Sequence, residues 1–185
     1  MRTGDKTDLL AERIDVLHAQ RGDMQAFHRL VDRYERRLLY YILRFVDDPE
    51  SGLDVLQEVW LSAFRLLPRL VAPEAFRVWL YKIAHGKVVQ LLRQKRRSAA
   101  WVSDSANSSP DVAVSDEPVF ESVELVHQAL SFLSVEQREV LVLHFLEGMQ
   151  LEEIARAIDC PLGTVKSRIY HGKRSLRNAI ERLTP

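Results

Sequence analysis

Apolar positions fall at helical spacing along almost the whole chain, and the pattern is clearest towards the C-terminus. There Leu151, Ile154, Ala155 and Ile158 recur at i, i+3, i+4 and i+7, the width of one helix face. Asp159-Cys160 breaks the pattern. Pro161 follows where a first helical residue would sit, its missing N–H costing nothing there, and Val165, Ile169, Leu176 and Ile180 then form a second stripe. The prediction is a helix–turn–helix over residues 151–180. The side of the second helix away from its stripe carries Thr164, Lys166, Ser167, Arg168, Tyr170, His171, Lys173 and Arg174. Bases and hydroxyls so placed suit a helix lying in a DNA major groove, with a phosphate at its N-terminus. An ordinary helical hairpin with a solvated basic face would show the same pattern.

Before residue 98 the spacing predicts four helices: Leu9–Ala19, Met24–Phe45, Gly52–Leu67 and Glu74–Lys95. The second has Phe27, Leu30, Val31, Tyr34, Leu38 and Ile42 on its apolar stripe. Beyond Ser98 the composition changes to serines, prolines and acids with little periodicity, which reads as a mobile linker over 99–121. A helix over Val123–Leu133 follows, then one opened by a capping box at Ser134-Val-Glu-Gln137 and running to Leu146, stopped by Gly148. Strand signals are essentially absent. The fold class expected is all-α, two small helical domains (1–98 and 122–185) joined by a flexible acidic linker.

The formal net charge of the 185 residues is zero, which on its face argues against a nucleic-acid partner. The zero hides a segregation. From Lys82 to Arg97 there are six bases and no acid, and from Lys166 to Arg182 six bases and one acid, whereas the linker holds five acids (Asp104, Asp111, Asp116, Glu117, Glu121) and no base. Two basic helical segments are a nucleic-acid footprint, and the acids between them are a candidate built-in shield.

At this point the motifs resemble a known family, the bacterial extracytoplasmic-function sigma factors, which keep only the second and fourth sigma regions. The resemblance covers nearly the whole chain. Its first half rests on Ala26-Phe27 with Leu30 and Tyr34; on Asp54-Val-Leu-Gln57-Glu58-Val59-Trp60-Leu61; and on Phe76-Arg-Val-Trp79-Leu80-Tyr-Lys-Ile83-Ala84 with the bases to Arg97. Its second half rests on Leu133-Ser134-Val135-Glu136-Gln137-Arg138-Glu139-Val140-Leu141, Glu152-Glu153-Ile154-Ala155 and Gly163-Thr164-Val165-Lys166-Ser167-Arg168. Each motif alone is weak; their order and spacing make the resemblance specific.

The resemblance implies a dissociable RNA polymerase subunit with a region 2 bundle and a four-helix region 4 domain. Asp54, Gln57, Glu58, Trp60 and Leu61 would bind core RNA polymerase, and Asp54, Gln57, Glu58 and Leu61 do share one helix face. Trp60 is open to a second reading, as a core aromatic packed on the Phe76/Trp79 helix. The −10 promoter element, where the strands open, would meet the loop Val71-Ala-Pro73-Glu74-Ala and the residues Pro73, Lys82, His85, Lys87, Arg93, Arg96 and Arg97. Melting needs a place for an unstacked base and cations along the displaced strand. Trp79, Leu80 and Ile83 are assigned to the core. The −35 element would meet the eight residues of the second C-terminal helix named above. Partners implied are core polymerase, promoter DNA as −35 duplex and −10 opened strand, and an anti-sigma factor.

Two positions depart from the family pattern: His85-Gly86 stands where an Asn usually follows the Ile-Ala pair, and Gln90 where an Asp is usual. A glycine inside a helix costs ~1 kcal/mol relative to alanine, so Gly86 either weakens this helix or admits close approach of a strand. The residues alone also fit an autonomous helix–turn–helix regulator, or a degenerate sigma factor that acts by binding its anti-sigma partner.

Several functions are set aside. His18, His28, His85, His127, His144 and His171 show no metal-ligand spacing, and a single cysteine, Cys160, forms no intrachain disulfide. No nucleophile–base pair or phosphate loop stands out, so no catalysis, cofactor, metal or small-molecule substrate is expected. The N-terminus lacks an apolar signal core and no run reaches a membrane span, so the expected place is the cytoplasm, without membrane insertion.

Overall fold

The computed structural model describes residues 3–46, 48–101 and 120–184, with side chains over 7–46, 48–97 and 125–184. The chain divides into two compact units, Met1–Asp104 and Ser105–Pro185. Among the described residues there is no strand, and the regular elements are helices. The first unit holds α1 (Thr3–Gln20), α2 (Met24–Ile42), α3 (Pro49–Leu66) and α4 (Phe76–Trp101), with short 3-10 turns at Leu67–Arg69 and Pro73–Ala75. The second holds α5 (Phe120–Ser131), α6 (Val135–Leu141), α7 (Leu151–Ala157) and α8 (Leu162–Leu183).

Helix starts in the first unit follow their caps. Asp23 accepts from the N–H groups of Gln25 and Ala26 at 2.9 and 3.1 Å, opening α2, and these bonds, that from Ala26 foremost, hold its carboxyl below the ordinary range. Asp48 does the same for α3 through Ser51 N–H at 2.7 Å, so α3 begins at Pro49, its first helical residue, three positions before the predicted Gly52. Gly22, at φ +92°, makes the left-handed turn that ends α1. α2 closes at Ile42, short of the predicted Phe45, because the N–H groups of Arg44 and Phe45 turn back to Tyr41 and Ile42 in tighter bonds. α4 starts after a 3-10 turn and runs to Trp101, six residues past the predicted Lys95. Residues 102–119, the body of the predicted linker, lie outside the described residues.

The core of the first unit gathers Leu30, Leu38, Tyr41 and Ile42 of α2, Val55, Leu56, Val59 and Ala63 of α3, and Phe76, Leu80, Tyr81, Ala84 and Val88 of α4. Tyr41 and Tyr81 meet edge to face at 5.5 Å, as do Tyr34 and Phe76 at 5.7 Å. α1 is packed with the opposite polarity. It buries Glu12 and Asp15 with Val16, and leaves Leu9, Leu10, Ile14 and Leu17 exposed. Burying a leucine side chain stabilises by roughly 1.5–3 kcal/mol, so acids facing inward need compensating partners. They have them on α2: Arg29 Nε lies 2.8 Å from Asp15, the Tyr34 hydroxyl donates to Glu12, and Arg33 reaches Glu12 and Asp8.

In the second unit Ser134 caps α6 by accepting from Gln137 N–H at 3.3 Å. The helix predicted to run on to Leu146 instead widens into one π turn over Val142–Leu146, closed by Glu147 N–H to the Val142 carbonyl at 3.1 Å. Gly148 then turns the chain at φ +65°. α7 opens with Gln150 N–H donating to the Glu153 carboxylate at 2.8 Å. α8 crosses α6 at Gly172, where an added Cβ would come within 3.2 Å of Leu141 Cδ1. Pro161 is the capping residue before α8 rather than its first helical residue: its ψ of 142° is extended, and its carbonyl accepts from Thr164 and Val165 N–H.

Candidate functional site

The predicted polymerase-binding residues lie on the outer face of α3. With Val55, Leu56, Val59 and Ala63 buried, the helix turns Asp54, Gln57, Glu58 and Leu61 to solvent. The structure adds two residues the motif reading passed over. Leu53 and Phe64 are 54% and 49% exposed, beside Leu61 at 48%, so Leu53, Gln57, Leu61 and Phe64 follow one another at i, i+4, i+8 and i+11. Three large apolar side chains left half-exposed on one helix face, edged by acids, have the chemistry that a docking helix would need. The signal was in the sequence: Leu53 stands one turn before Gln57 and Phe64 one turn after Leu61. Trp60 has its ring partner on α2. Its half-buried ring meets Phe27 of α2 edge-on at 5.9 Å, and Phe27 in turn meets Phe64 at 5.2 Å. Phe76 and Trp79 pair with each other.

On α4 the buried residues are Phe76, Val78, Leu80, Tyr81, Ala84 and Val88, as the core assignment of Leu80 expected; Ile83 is half-buried at their edge, and half-buried Trp79 stands one turn before Lys82, in line with the outward side. Opposite run Lys82, Gly86, Gln90, Arg93 and Arg97 at steps of four, four, three and four, all exposed, with Arg96 exposed and His85 half-buried on the edge. Both departures from the family pattern therefore stand on the basic stripe. Gly86 has open space around it, with no atom within 4 Å of an added Cβ. Lys87 is not on this stripe. Its Nζ lies 2.9 Å from Glu58 Oε2, turned towards α3.

Between the two 3-10 turns, the loop Leu70–Ala72 leaves Val71 96% exposed, and half-buried Pro73 leads into α4. Sequence reasoning named this loop but not what holds it. Gln20 of α1 donates its side-chain amide to the Leu67 and Leu70 carbonyls.

On α8 the eight predicted residues divide by direction. Val165, Ile169, Gly172 and Ala179 are buried against the domain. Diametrically opposite lie Ser167, Tyr170, His171 and Arg174, all exposed. Lys166 and Lys173 form one flank, and Lys173 Nζ sits 5.0 Å over the Phe145 ring of the π turn. Thr164 and Arg168 form the other, half-buried; Arg168 Nη1 folds back to within 3.9 Å of Cys160 Sγ in the interhelical turn. Burial raises the Cys160 thiol pKa, the Arg168 charge opposing it, so at neutral pH the sulfur is a thiol and a poor nucleophile. Asp159, at φ +50°, makes the turn itself.

Comparison with known proteins places these two helical units. The family description Sigma-70 region 2 matches residues 30–98, and Sigma-70, region 4 matches residues 124–176. The RNA polymerase sigma-H factor of Pseudomonas aeruginosa is 34% identical over 194 residues, spanning 99% of this chain and 98% of that one. The ECF RNA polymerase sigma-E factor of Escherichia coli strain K12 is 30% identical over 191 residues, covering 96% and 98%. Among solved structures, CnrH in complex with the cytosolic domain of CnrY superposes with a TM-score of 0.69 at 25% identity over 93% of this chain and 98% of that one. The sigma factor RpoE bound to the anti-sigma factor NepR from Bartonella quintana shares the fold at a TM-score of 0.75, at 20% identity over 85% and 98%. The chain belongs to the sigma-70 family, as an RNA polymerase sigma factor of the extracytoplasmic-function type with regions 2 and 4 on its two helical units.

Proposed function

We propose that this sigma factor divides promoter use among three surfaces: the outer face of α3 docks on core polymerase, the α4 stripe with the Leu70–Ala75 segment takes the opened −10 strand, and α8 reads the −35 duplex. The carrying observation is the contrast within the first unit. α3 turns outward Leu53, Leu61 and Phe64 beside Asp54 and Glu58, whereas α4 turns outward Lys82, Arg93, Arg96 and Arg97. An apolar and acidic face fits a protein helix; a cationic face free of acids fits phosphates. Bond-making stays in the polymerase, and this chain supplies positioning and strand capture from the cytoplasm. The working division is a core-binding and −10 domain over 1–98, a tether over 99–121 and a −35 domain over 122–185. Two of the similar solved structures are named as complexes, with CnrY and with the anti-sigma factor NepR, and an anti-sigma factor competing for the α3 face is the corresponding partner here.

Run-off transcription with purified core, joined to a competition assay for core binding, tests the division. Leu61→Asp is expected to lose both core binding and transcription, and Lys82→Ala with Arg93→Ala to keep core binding and lose promoter opening. Equal loss of core binding in both would overturn the assignment.

A further inference from the structure

Gln20 is the last residue of α1, which precedes the residues matched by sigma region 2. Its Nε2 donates to the Leu67 carbonyl at 3.0 Å and to the Leu70 carbonyl at 2.6 Å. These are the first residue and the C-cap of the 3-10 turn that ends α3. The Leu67 carbonyl already accepts from Leu70 N–H at 3.0 Å, closing the turn; the Gln20 amide adds a second bond there and supplies one to the Leu70 carbonyl, so that one primary amide spans the turn with its two hydrogens. On the far side the segment is held again: Ala75 N–H bonds to the Ala72 carbonyl at 2.9 Å, and Pro73 has a fixed φ. Between these anchors stands Val71, its isopropyl group almost wholly in water. A single exposed valine is unremarkable on a mobile loop. On a three-residue loop tied at both ends, one tie coming from a separate helix, it is an apolar contact held at a set place.

We propose that Gln20 is a positioning residue for −10 recognition: by bridging the Leu67 and Leu70 carbonyls it sets the Leu70–Ala72 loop in one conformation and presents Val71 to the opened strand. This rests on the reading that the loop faces the −10 element. The chemistry fits, because an unstacked base offers an apolar face whose favourable contact depends on van der Waals distance, and a loop free to shift would meet every base equally well. The nature of the tie also matters. An amide hydrogen-bonded to two backbone carbonyls fixes direction as well as distance, which an apolar contact at the same place would not.

The test uses the full chain with core polymerase on a promoter set in which each −10 base is varied in turn. Gln20→Glu and Gln20→Met both keep the size of the side chain and remove its donors; Gln20→Lys returns donors. The readouts are the ratio of run-off yield between the preferred and next-best −10 base, competition for core, and thermal melting. Both donor-less variants should lose about tenfold in the base ratio, the scale of two hydrogen bonds. Core competition should stay unchanged, and Gln20→Lys should regain much of the ratio. A merely structural role would lower yield on all promoters alike and leave the ratio intact, and that result overturns the proposal. Val71→Ser separates the two layers. If it leaves the ratio unchanged, the loop does not read the −10 element and both readings fall; if it changes the ratio while the Gln20 variants do not, only the role of Gln20 falls.

Discussion

The Glu58 carboxylate and the Lys87 ammonium lie 2.9 Å apart and join α3 to α4, so an acid on the face proposed to dock on polymerase is paired with a base that the family resemblance assigns to the −10 contacts. The pair is partly exposed, and such pairs are worth about 0–1 kcal/mol. Its interest is therefore in binding rather than in stability. While Glu58 holds Lys87, that cation is directed away from the stripe that carries Lys82, Arg93 and Arg97.

Glu58→Gln should accordingly cost less than ~1 kcal/mol in thermal unfolding, weaken competition for core, and strengthen binding of a −10 single strand by the sigma factor alone. Asp54→Asn removes the same charge one turn away without freeing Lys87. Measured at low salt by fluorescence anisotropy, the two variants should differ; an equal gain would reduce the effect to net charge.

The buried network between α1 and α2 gives a pH dependence. Burial first, then the charge of Glu12 and the hydrogen bond to it, raises the Tyr34 phenol above its ordinary 10.0. A group whose folded pKa is raised contributes stability in full below its unfolded value and loses it as pH climbs beyond. Above pH ~10 the unfolded chain releases this proton and the folded chain keeps it, a loss of about 1.4 kcal/mol per pH unit from this group. Tyr34→Phe should cost roughly 1–3 kcal/mol at neutral pH, since Glu12 loses a buried donor, and should flatten the alkaline limb. Denaturant melts of both proteins between pH 8 and 11 measure the difference; parallel limbs would remove Tyr34 as the cause.

How far the fold could be read in advance depended on where each helix hides its polarity. α2 was legible because Phe27, Leu30, Tyr34, Leu38 and Ile42 all face inward. α1 was legible as a helix but not in its packing, since its leucines face water and its acids face Arg29, Arg33 and Tyr34; apolar periodicity cannot report a face buried through ion pairs. Small residues were also silent. Gly172 and Ala179 complete the buried side of α8, yet only Val165, Ile169, Leu176 and Ile180 showed in its stripe. The motifs located the three candidate surfaces, but could not say that Lys87 turns to Glu58, that Arg168 folds onto Cys160, or that Gln20 reaches Leu67 and Leu70 from 47 and 50 residues away. Those are tertiary hydrogen bonds, and no local period encodes them.

Gly86 allows its two sequence-level explanations to be separated. Its position is exposed and an added Cβ touches nothing, so no internal packing requires glycine there. Gly86→Ala should stabilise the first unit by about 0.5–1 kcal/mol and raise its melting temperature by a few degrees. Because the glycine stands between Lys82 and Arg93 on the outward stripe, a strand lying along those cations passes over it. The variant should therefore open promoters less well while melting higher, as permanganate footprinting of the −10 region would read. Higher melting with unchanged opening would make the glycine a simple weakness of the helix.

On α8, direction separates residues that the sequence treated alike. When a helix enters a major groove, the side opposite its buried face points at base edges, and its flanks meet the phosphates on either wall. Ser167 is on the outward side and Lys166 on a flank. Lys166→Ala should weaken binding to matched and mismatched −35 duplexes by the same factor and reduce the slope of log affinity against log salt by about 0.9, one phosphate's worth of released counterion. Ser167→Ala should leave that slope in place and narrow the preference among −35 sequences. Titrations of the holoenzyme on two duplexes at four salt concentrations distinguish the two behaviours. A Lys166→Ala defect confined to one −35 sequence would turn the flank into a base reader, and would mean that α8 sits in the groove rotated by about a quarter turn, roughly one residue's 100° step, from the orientation its buried face implies.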